Sequence, residues 1–243
     1  MRVGDEEKNY RSIINFSKFI NFEVKIKETD IFIRARKDLM EEARESILKY
    51  RKDIEKYIAL FPDFRSTLVP REVNKSAPKI VKNMAKAAML AKVGPMAAIA
   101  GAISEFVGRE LLKISQDIIL ENGGDIFIKS SSELSIAIFA GKSPLSLKLG
   151  LKILPQDTPI GVCTSSGTVG PSLSYGKADA VTVIAKSVSL ADAVATSIGN
   201  IIHTAQDIKK GLDFAQTIRG VMGVSIIIED YLGTWGKVRL VSY

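Results

Sequence analysis

DIILENGGDIFIK, Asp117 to Lys129, is where the hydrophobic pattern of this chain changes period. Apolar, mostly β-branched or aromatic residues crowd into two short runs, separated by Asn122-Gly123-Gly124. That is the pattern of two strands, with the glycines serving either as a hairpin turn or as a strand bulge. Beyond it, SIAIFA, LSLKLGLKIL, GVC (161–163) and ADAVTVIAK also read as strands. SLADAVATSIGNII and TAQDIKKGLDFAQTI return to helical spacing, and the chain ends in VSIIIED, a YLGTWG turn and KVRLV, a C-terminal hairpin.

Upstream of Asp117 the period is mostly helical. FEVKIK and IFIRA alternate as two strands joined at Glu28-Thr29-Asp30. From Leu39, apolar residues recur at Ala43, Ile47, Ile54 and Ile58, an amphipathic helix stopped before Pro62. FPDFRSTLVPREVNKSAP is loop-like; a second helix starts at Pro78 and ends at Gly94-Pro95. A third covers MAAIAGAISEFVGRELLKIS, and its first turns of Ala, Gly and Ile predict close approach by another backbone or a ligand. Strands dominate the middle and end with helices inserted between them. The expected class is α+β, with mixed or antiparallel sheets and packed helices, in one domain spanning 1–243.

Composition narrows the function. The chain has 243 residues, 46% hydrophobic and 25% charged, enough for a real core and unlike a disordered chain. A single cysteine excludes an internal disulfide and any Cys-x-x-Cys metal cluster, and with no signal pattern at the start it predicts a cytoplasmic protein. The most apolar stretch is interrupted by Lys92 and Gly94-Pro95, so no membrane span is expected. Net charge is +7, but the basic residues interleave with acidic ones on helical surfaces, as in KDLMEEARESILKYRKDIEK. That favours solvated helix faces over nucleic-acid binding. A homo-oligomer is compatible with everything above.

Three clusters could carry chemistry. Thr164-Ser165-Ser166-Gly167-Thr168 follows an apolar strand, and its hydroxyls and backbone N–H groups could cradle an anion such as a phosphate. No Gly-Lys-Ser/Thr follows, so it is not a P-loop, and a Ser/Thr/Gly turn alone is ordinarily just a loop. Gly170-Pro171 and Gly176 extend the small-residue segment beyond what a tight turn needs. In SLADAVAT, Asp192 and Thr196 lie four apart on one helical face, where a carboxylate and a hydroxyl could ligate Mg²⁺; spacing alone favours the plainer reading of Ser189 and Asp192 as a helix cap with an acidic residue three positions on, and both readings can hold at once. Gly123-Gly124-Asp125 permits close backbone approach, and also fits a plain turn. His203, the sole histidine, falls on a helix, and nothing pairs it with a nucleophile. Cys163 follows apolar residues, and burial would make its thiol inert.

Taken together, VGPMAAIAGAISEFVG, NGGDIFI, GVCTSSGTVGPSLSYGKADAVTV and LADAVATSIGN resemble the signature of uncharacterised protein family 0280, an ApbE-like group; TDIFIRA, FPDF and GTWGKVRL extend the resemblance over nearly the whole chain. More distantly, Met96 to Asn200 resembles the ApbE proteins, FAD-binding, Mg²⁺-dependent transferases that attach FMN to a threonine. The resemblance implies metal ligands at Asp192 and Thr196, with the Ala102 carbonyl as a third. It also implies contacts to a phosphorylated or nucleotide-like ligand, FAD or another, from Gly123, Gly124, Asp125 and Thr164 to Thr168. Two features of that family are missing: a His-x-Ile-Asp-Pro-like segment after the loop, and a Lys-Gly pair where Ile103-Ser104 stands. What carries over is metal and phosphate binding, with metal-dependent transfer or phosphoanhydride cleavage as the activities these parts allow. Two other readings are a sulfur-handling accessory protein using Cys163, and a non-catalytic assembly subunit whose Ala-rich helix packs on a second copy or partner.

Overall fold

The computed structural model describes residues 19–169 and 175–243. Gly170 and Pro171 of the small-residue stretch lie outside them. In chain order the elements are β1 (Ile20–Ile26), β2 (Thr29–Ala35), α1 (Met40–Leu60), α2 (Asp63–Ser66), α3 (Lys79–Ala91), α4 (Ile99–Leu111), β3 (Ile118–Asn122), β4 (Asp125–Lys129), β5 (Leu134–Ala137), β6 (Leu149–Ile153), β7 (Ile160–Ser165), β8 (Ala180–Ala185), α5 (Val188–Gly199), α6 (Ile208–Gln216), β9 (Val221–Ile228), β10 (Tyr231–Gly236) and β11 (Leu240–Ser242). The class is α+β.

Eight strands form one antiparallel sheet in the order β1-β2-β3-β4-β7-β8-β9-β10, and β11-β6-β5 form a second, smaller sheet. The alternation of side chains divides the large sheet into two apolar faces. Phe127, Cys163, Val181, Val183, Val224 and Ile226 belong to the core shared with the helices. Ile128, Ile160, Val162, Ala180, Ile184 and Ile227 belong to a second core against the small sheet. Layers therefore run helices, large sheet, small sheet, and the large sheet is buried on both sides. This explains why β8, AVTVIA, is buried at every position and shows no alternation in sequence.

Helix α1 buries Ala43, Ile47, Tyr50, Ile54 and Tyr57, the stripe its spacing predicts. The apolar stretch after it breaks into two helical pieces, Lys79–Ala91 and Pro95–Leu111, at 107° to each other. Among the described residues no single helix is long and apolar enough to cross a membrane.

The open choice at Asn122-Gly123-Gly124 resolves as a hairpin. Asn122 pairs with Asp125, and the two glycines between them take φ of +63° and +100°. At the C-terminus the expectation fails. YLGTWG is not a turn but strand β10, antiparallel to β9, and the turn is Glu229-Asp230. Its glycine is there for packing: a Cβ on Gly233 would sit 2.2 Å from Ile208 of α6. KVRLV contributes β11, which crosses to pair with β6 instead of closing that hairpin.

Candidate functional site

Strands β4 and β7 run antiparallel, so the start of one lies beside the end of the other. Asp125 pairs with Cys163 there, and Thr164 N–H donates to the Gly124 carbonyl at 3.2 Å. Helix α5 lies on this pair. A Cβ on Gly161 would come within 2.6 Å of Val188 Cα, so the missing side chain is what lets the start of α5 rest on β7. At its far end Gly199 packs on Gly176, and Asn200 Oδ1 accepts from Tyr175 N–H at 3.1 Å. The helix thus runs along β7 toward the hydroxyl-rich loop, with Asp192 and then Thr196, both partly exposed, on one face.

Asp192 reaches α4, where its carboxylate accepts the Gly101 N–H at 2.8 Å. Gly101 is required for this: a Cβ would stand 2.6 Å from the Val188 carbonyl and 2.7 Å from Asp192 Cβ. Ala102 is fully buried in α4, next to that amide. The small residues opening α4 are therefore packed against α5 within the chain. That covers part of the surface on which the assembly-subunit reading placed a second copy, while Met96, Ala97, Ile99 and Ala100 stay half-buried.

Asp192 and Asp125 come together with Cys163. Burial pushes the Asp192 carboxyl up to about 7, against the hydrogen bond from Gly101, which lowers it. Burial also raises Asp125 well above the ordinary aspartate range, helped by the Asp192 and Glu121 charges. Among the described residues neither Asp125 nor Asp192 forms an ion pair with a Lys or Arg. Two carboxylates share a desolvated place without a protein cation, a hard-oxygen set that fits Mg²⁺ with Thr196 one turn along the helix. No three His, Cys, Asp or Glu side chains among the described residues form a metal cluster of their own. Cys163 is fully buried, with Sγ 3.4 Å from the Val188 carbonyl, and burial followed by the two aspartate charges raises its thiol well above the ordinary range. It is inert, as its flanking sequence implies, and the sulfur-handling reading has no accessible thiol to stand on.

The loop differs from the expected cradle. Thr164 and Ser165 are the last residues of β7, and alternation puts only Ser165 on the Cys163 face. Thr164 points to the small-sheet side, where its Oγ1 lies 3.0 Å from Thr182 Oγ1. The backbone donors are already engaged: Gly167 N–H bonds the Ala178 carbonyl at 2.8 Å, and Thr168 and Val169 N–H both reach Ser166 Oγ, at 3.1 and 3.0 Å. Thr168 Oγ1 donates to Asp179, which also accepts from Glu229 N–H. Gly123 and Gly124 form the neighbouring hairpin, braced by Glu121, which accepts from Gly124 N–H at 2.9 Å. The loop is thus not an open nest of amides: strand parity leaves Ser165 on the Asp192 face, while Thr168 Oγ1 turns to Asp179 and Gly141.

Two further corrections concern α5 and His203. The N-cap of α5 is Ser187, which accepts from Leu190 N–H; Ser189 is inside the helix and fully buried. Capping therefore does not explain Asp192. His203 is exposed in the turn after α5, not on a helix.

Glu105 was not singled out by the sequence reading. From α4 its Oε2 accepts from Ser187 Oγ at 2.9 Å and Val188 N–H at 2.8 Å, while Oε1 pairs with Arg109 at 2.9 Å. A buried carboxylate thus caps the positive end of the helix that carries Asp192. Its signal in AISEFVGR is an acidic residue on a stripe that is otherwise apolar. A separate cavity of about 410 Å³, lined by Tyr57, Phe61, Phe64, Arg71 and others, shares no residue with this cluster.

A family model described as AbpE bacteria matches residues 11–226. A UPF0280 protein of Methanococcus aeolicus is 43% identical over 225 residues, covering 90% of this chain and 91% of the relative. The chain belongs to the UPF0280 family. Its fold is that of the ApbE proteins. The crystal structure of the ApbE protein from Thermotoga maritima aligns with a TM-score of 0.60 at 13% identity, over 89% of this chain and 96% of that one. The flavin transferase ApbE from Vibrio cholerae aligns at 0.52 and 14%, over 89% and 96%. At these identities the structural likeness speaks for the fold of this UPF0280 chain alone.

Proposed function

We propose that this protein binds a phosphorylated, nucleotide- or flavin-like ligand together with Mg²⁺, at the end of the sheet where α5 crosses β4 and β7. Asp192 and Thr196 hold the metal, with the Ala102 carbonyl and Asp125 behind them. The Gly123-Gly124 turn and the Ser165 hydroxyl border the ligand, with Ser166 and Thr168 shaping the loop behind them. The observation that carries this reading is the meeting of Asp192 and Asp125 in a desolvated place without a Lys or Arg partner among the described residues. Two such carboxylates are costly to ionise together, and a dication relieves that cost.

Bound Mg²⁺ would supply neutralisation of phosphate charge and Lewis-acid polarisation of a phosphoryl oxygen. The chain's own contributions are positional. Glu105 and Gly101 fix the start of α5 and the rotamer of Asp192, and the packed Ala and Gly residues of α4 keep water from its rear. That ApbE proteins of the same fold are flavin transferases supports FAD as the first ligand to try. The absent His-x-Ile-Asp-Pro-like segment argues that binding, and not FMN transfer, is what the two proteins share.

The test is a thermal-shift series with FAD, FMN and ATP, with and without Mg²⁺, on wild type and Asp192→Ala. A ligand present at about 100 times its Kd stabilises the native state by about 2.7 kcal/mol, a rise of several degrees. The expected result is a Mg²⁺-dependent rise in wild type that is lost in Asp192→Ala while the unliganded mutant still folds. Equal responses in both proteins would reject the placement of the metal.

A further inference from the structure

The large sheet has two edges that are built differently. Strand β1, INFEVKI, carries Glu23 and Lys25, charges of the kind that discourage pairing with another chain. Strand β10, YLGTWG, has no charge and no proline over six residues. Among the described residues no strand lies outside it. Tyr231 is 54% and Leu232 37% exposed. Charges occur just beyond the strand, and they have opposite sign: Glu229 and Asp230 precede it, and Lys237 follows.

Backbone geometry selects the register in which such an edge could pair with itself. The two-residue turn makes Ile228 and Tyr231 the closing hydrogen-bonded pair, and Lys237 N–H donates to Met222 O at 2.8 Å at the other end. Tyr231, Gly233 and Trp235 therefore bond inward to β9, and Leu232 and Thr234 present their N–H and C=O groups outward. An antiparallel copy must match outward residues with outward residues. Placing Gly233 on a two-fold axis does so, with Leu232 opposite Thr234 of the other copy at both positions. The same register sets Tyr231 across from Trp235 on the helix face, as a cross-strand aromatic pair. It also sets exposed Glu229 across from Lys237, whose side chain is 59% exposed and whose ammonium stands 4.0 Å from Asp157 of its own chain, so that Glu229 of the second copy competes with a long ion pair already present. The two glycines meet at the centre, each covered on the helix face by Ile208 of its own α6.

We propose that β10 pairs antiparallel with β10 of a second copy, joining the two large sheets through a two-fold axis at Gly233, with Glu229–Lys237 ion pairs closing both ends. The interface is self-complementary in hydrogen bonds, side-chain size and charge, the condition for an isologous dimer. It lies at the opposite end of the sheet order from β1 and uses no residue of the proposed ligand site.

Within one chain Glu229 and Lys237 stand at opposite ends of β10, up to roughly 26 Å apart at the rise of a strand. They can meet only between chains, and a charge swap is diagnostic for that reason. Sedimentation velocity of the full chain over about 1–100 µM, the range in which modest interfaces dissociate, reads the equilibrium directly. Wild type is expected to dimerise. Lys237→Glu and Glu229→Lys should each weaken the dimer about tenfold or more, and the double variant should restore it. Thr234→Pro removes an outward N–H that β9 does not use, so it should give a monomer with an unchanged circular dichroism spectrum. A wild type that stays monomeric throughout, or a dimer indifferent to Thr234→Pro and to the charge swap, overturns the proposal.

Discussion

Asp192 shows how one residue can be legible in sequence for an incomplete reason. Its spacing from Thr196 places both on one helical face, and that holds, but the competing explanation of a cap at Ser189 fails because the helix starts earlier, on Ser187. The consequence of its burial was invisible, since the partner carboxylate, Asp125, is 67 positions away and arrives through the pairing of β4 with β7. The burial has a measurable effect. In the folded protein the Asp192 carboxyl titrates near 7, above the 3.8 of an ordinary aspartate. The folded state therefore holds the proton more tightly, and the stability this contributes is full below about pH 4 and is lost as pH rises through about 7. Without divalent cation, urea-derived stability should fall over that window, with a slope of no more than about 1.4 kcal/mol per pH unit from this group. Asp192→Asn should make the fall shallower, leaving the part that burial of Asp125 contributes. Thr164 is the opposite case. It reads as loop but ends a strand, and strand parity sends its hydroxyl to Thr182 on the face away from Asp192.

At the scale of elements, the joint between α4 and α5 positions the site. The run of Ala and Gly opening α4 predicts a close approach, and the approach is to α5, with Gly101 against Val188 and Asp192. Periodicity could not show what locks the joint, because Glu105 acts through atoms more than 80 residues away: Ser187 Oγ and Val188 N–H. Glu105→Ala leaves the first amides of α5 without their acceptor and Arg109 without its partner, and should cost about 3–5 kcal/mol by urea denaturation. Glu105→Gln keeps an acceptor and should cost roughly 1–2 kcal/mol. If the two substitutions cost the same, the carboxylate charge rather than its hydrogen bonds holds the helix start. Strand β10 was misread for a related reason: Gly233 admits α6 and Gly236, at φ +78°, lies against Met222 of β9, whereas the actual turn uses Glu229 at φ +55° and no glycine.

Across the whole molecule, the class and most strands were readable because apolar runs of the right length survive any topology. Strand order was not, because it depends on which runs share a face. Residues 130–159 leave the large sheet to build most of the small one, so β4 ends up beside β7, and the chain returns at its end to add β11 to β6. This division bears on where the ligand binds. The proposed metal side chains lie on the helix face, while Thr164 and Thr182 lie on the small-sheet face. Deleting Leu240–Tyr243 removes β11 from β6 and the Tyr243 ring from its place over Gly150. It should cost about 1–3 kcal/mol, a range set by lost packing and backbone hydrogen bonds. Because the large sheet separates that damage from Asp192, the Mg²⁺-dependent thermal shift should persist at its wild-type size above a lowered baseline. If the deletion abolishes the shift while the truncated protein still unfolds cooperatively, the ligand depends on the small-sheet face, and the Thr164–Thr182 hydroxyls, not the Asp192 helix, become the place to look for it.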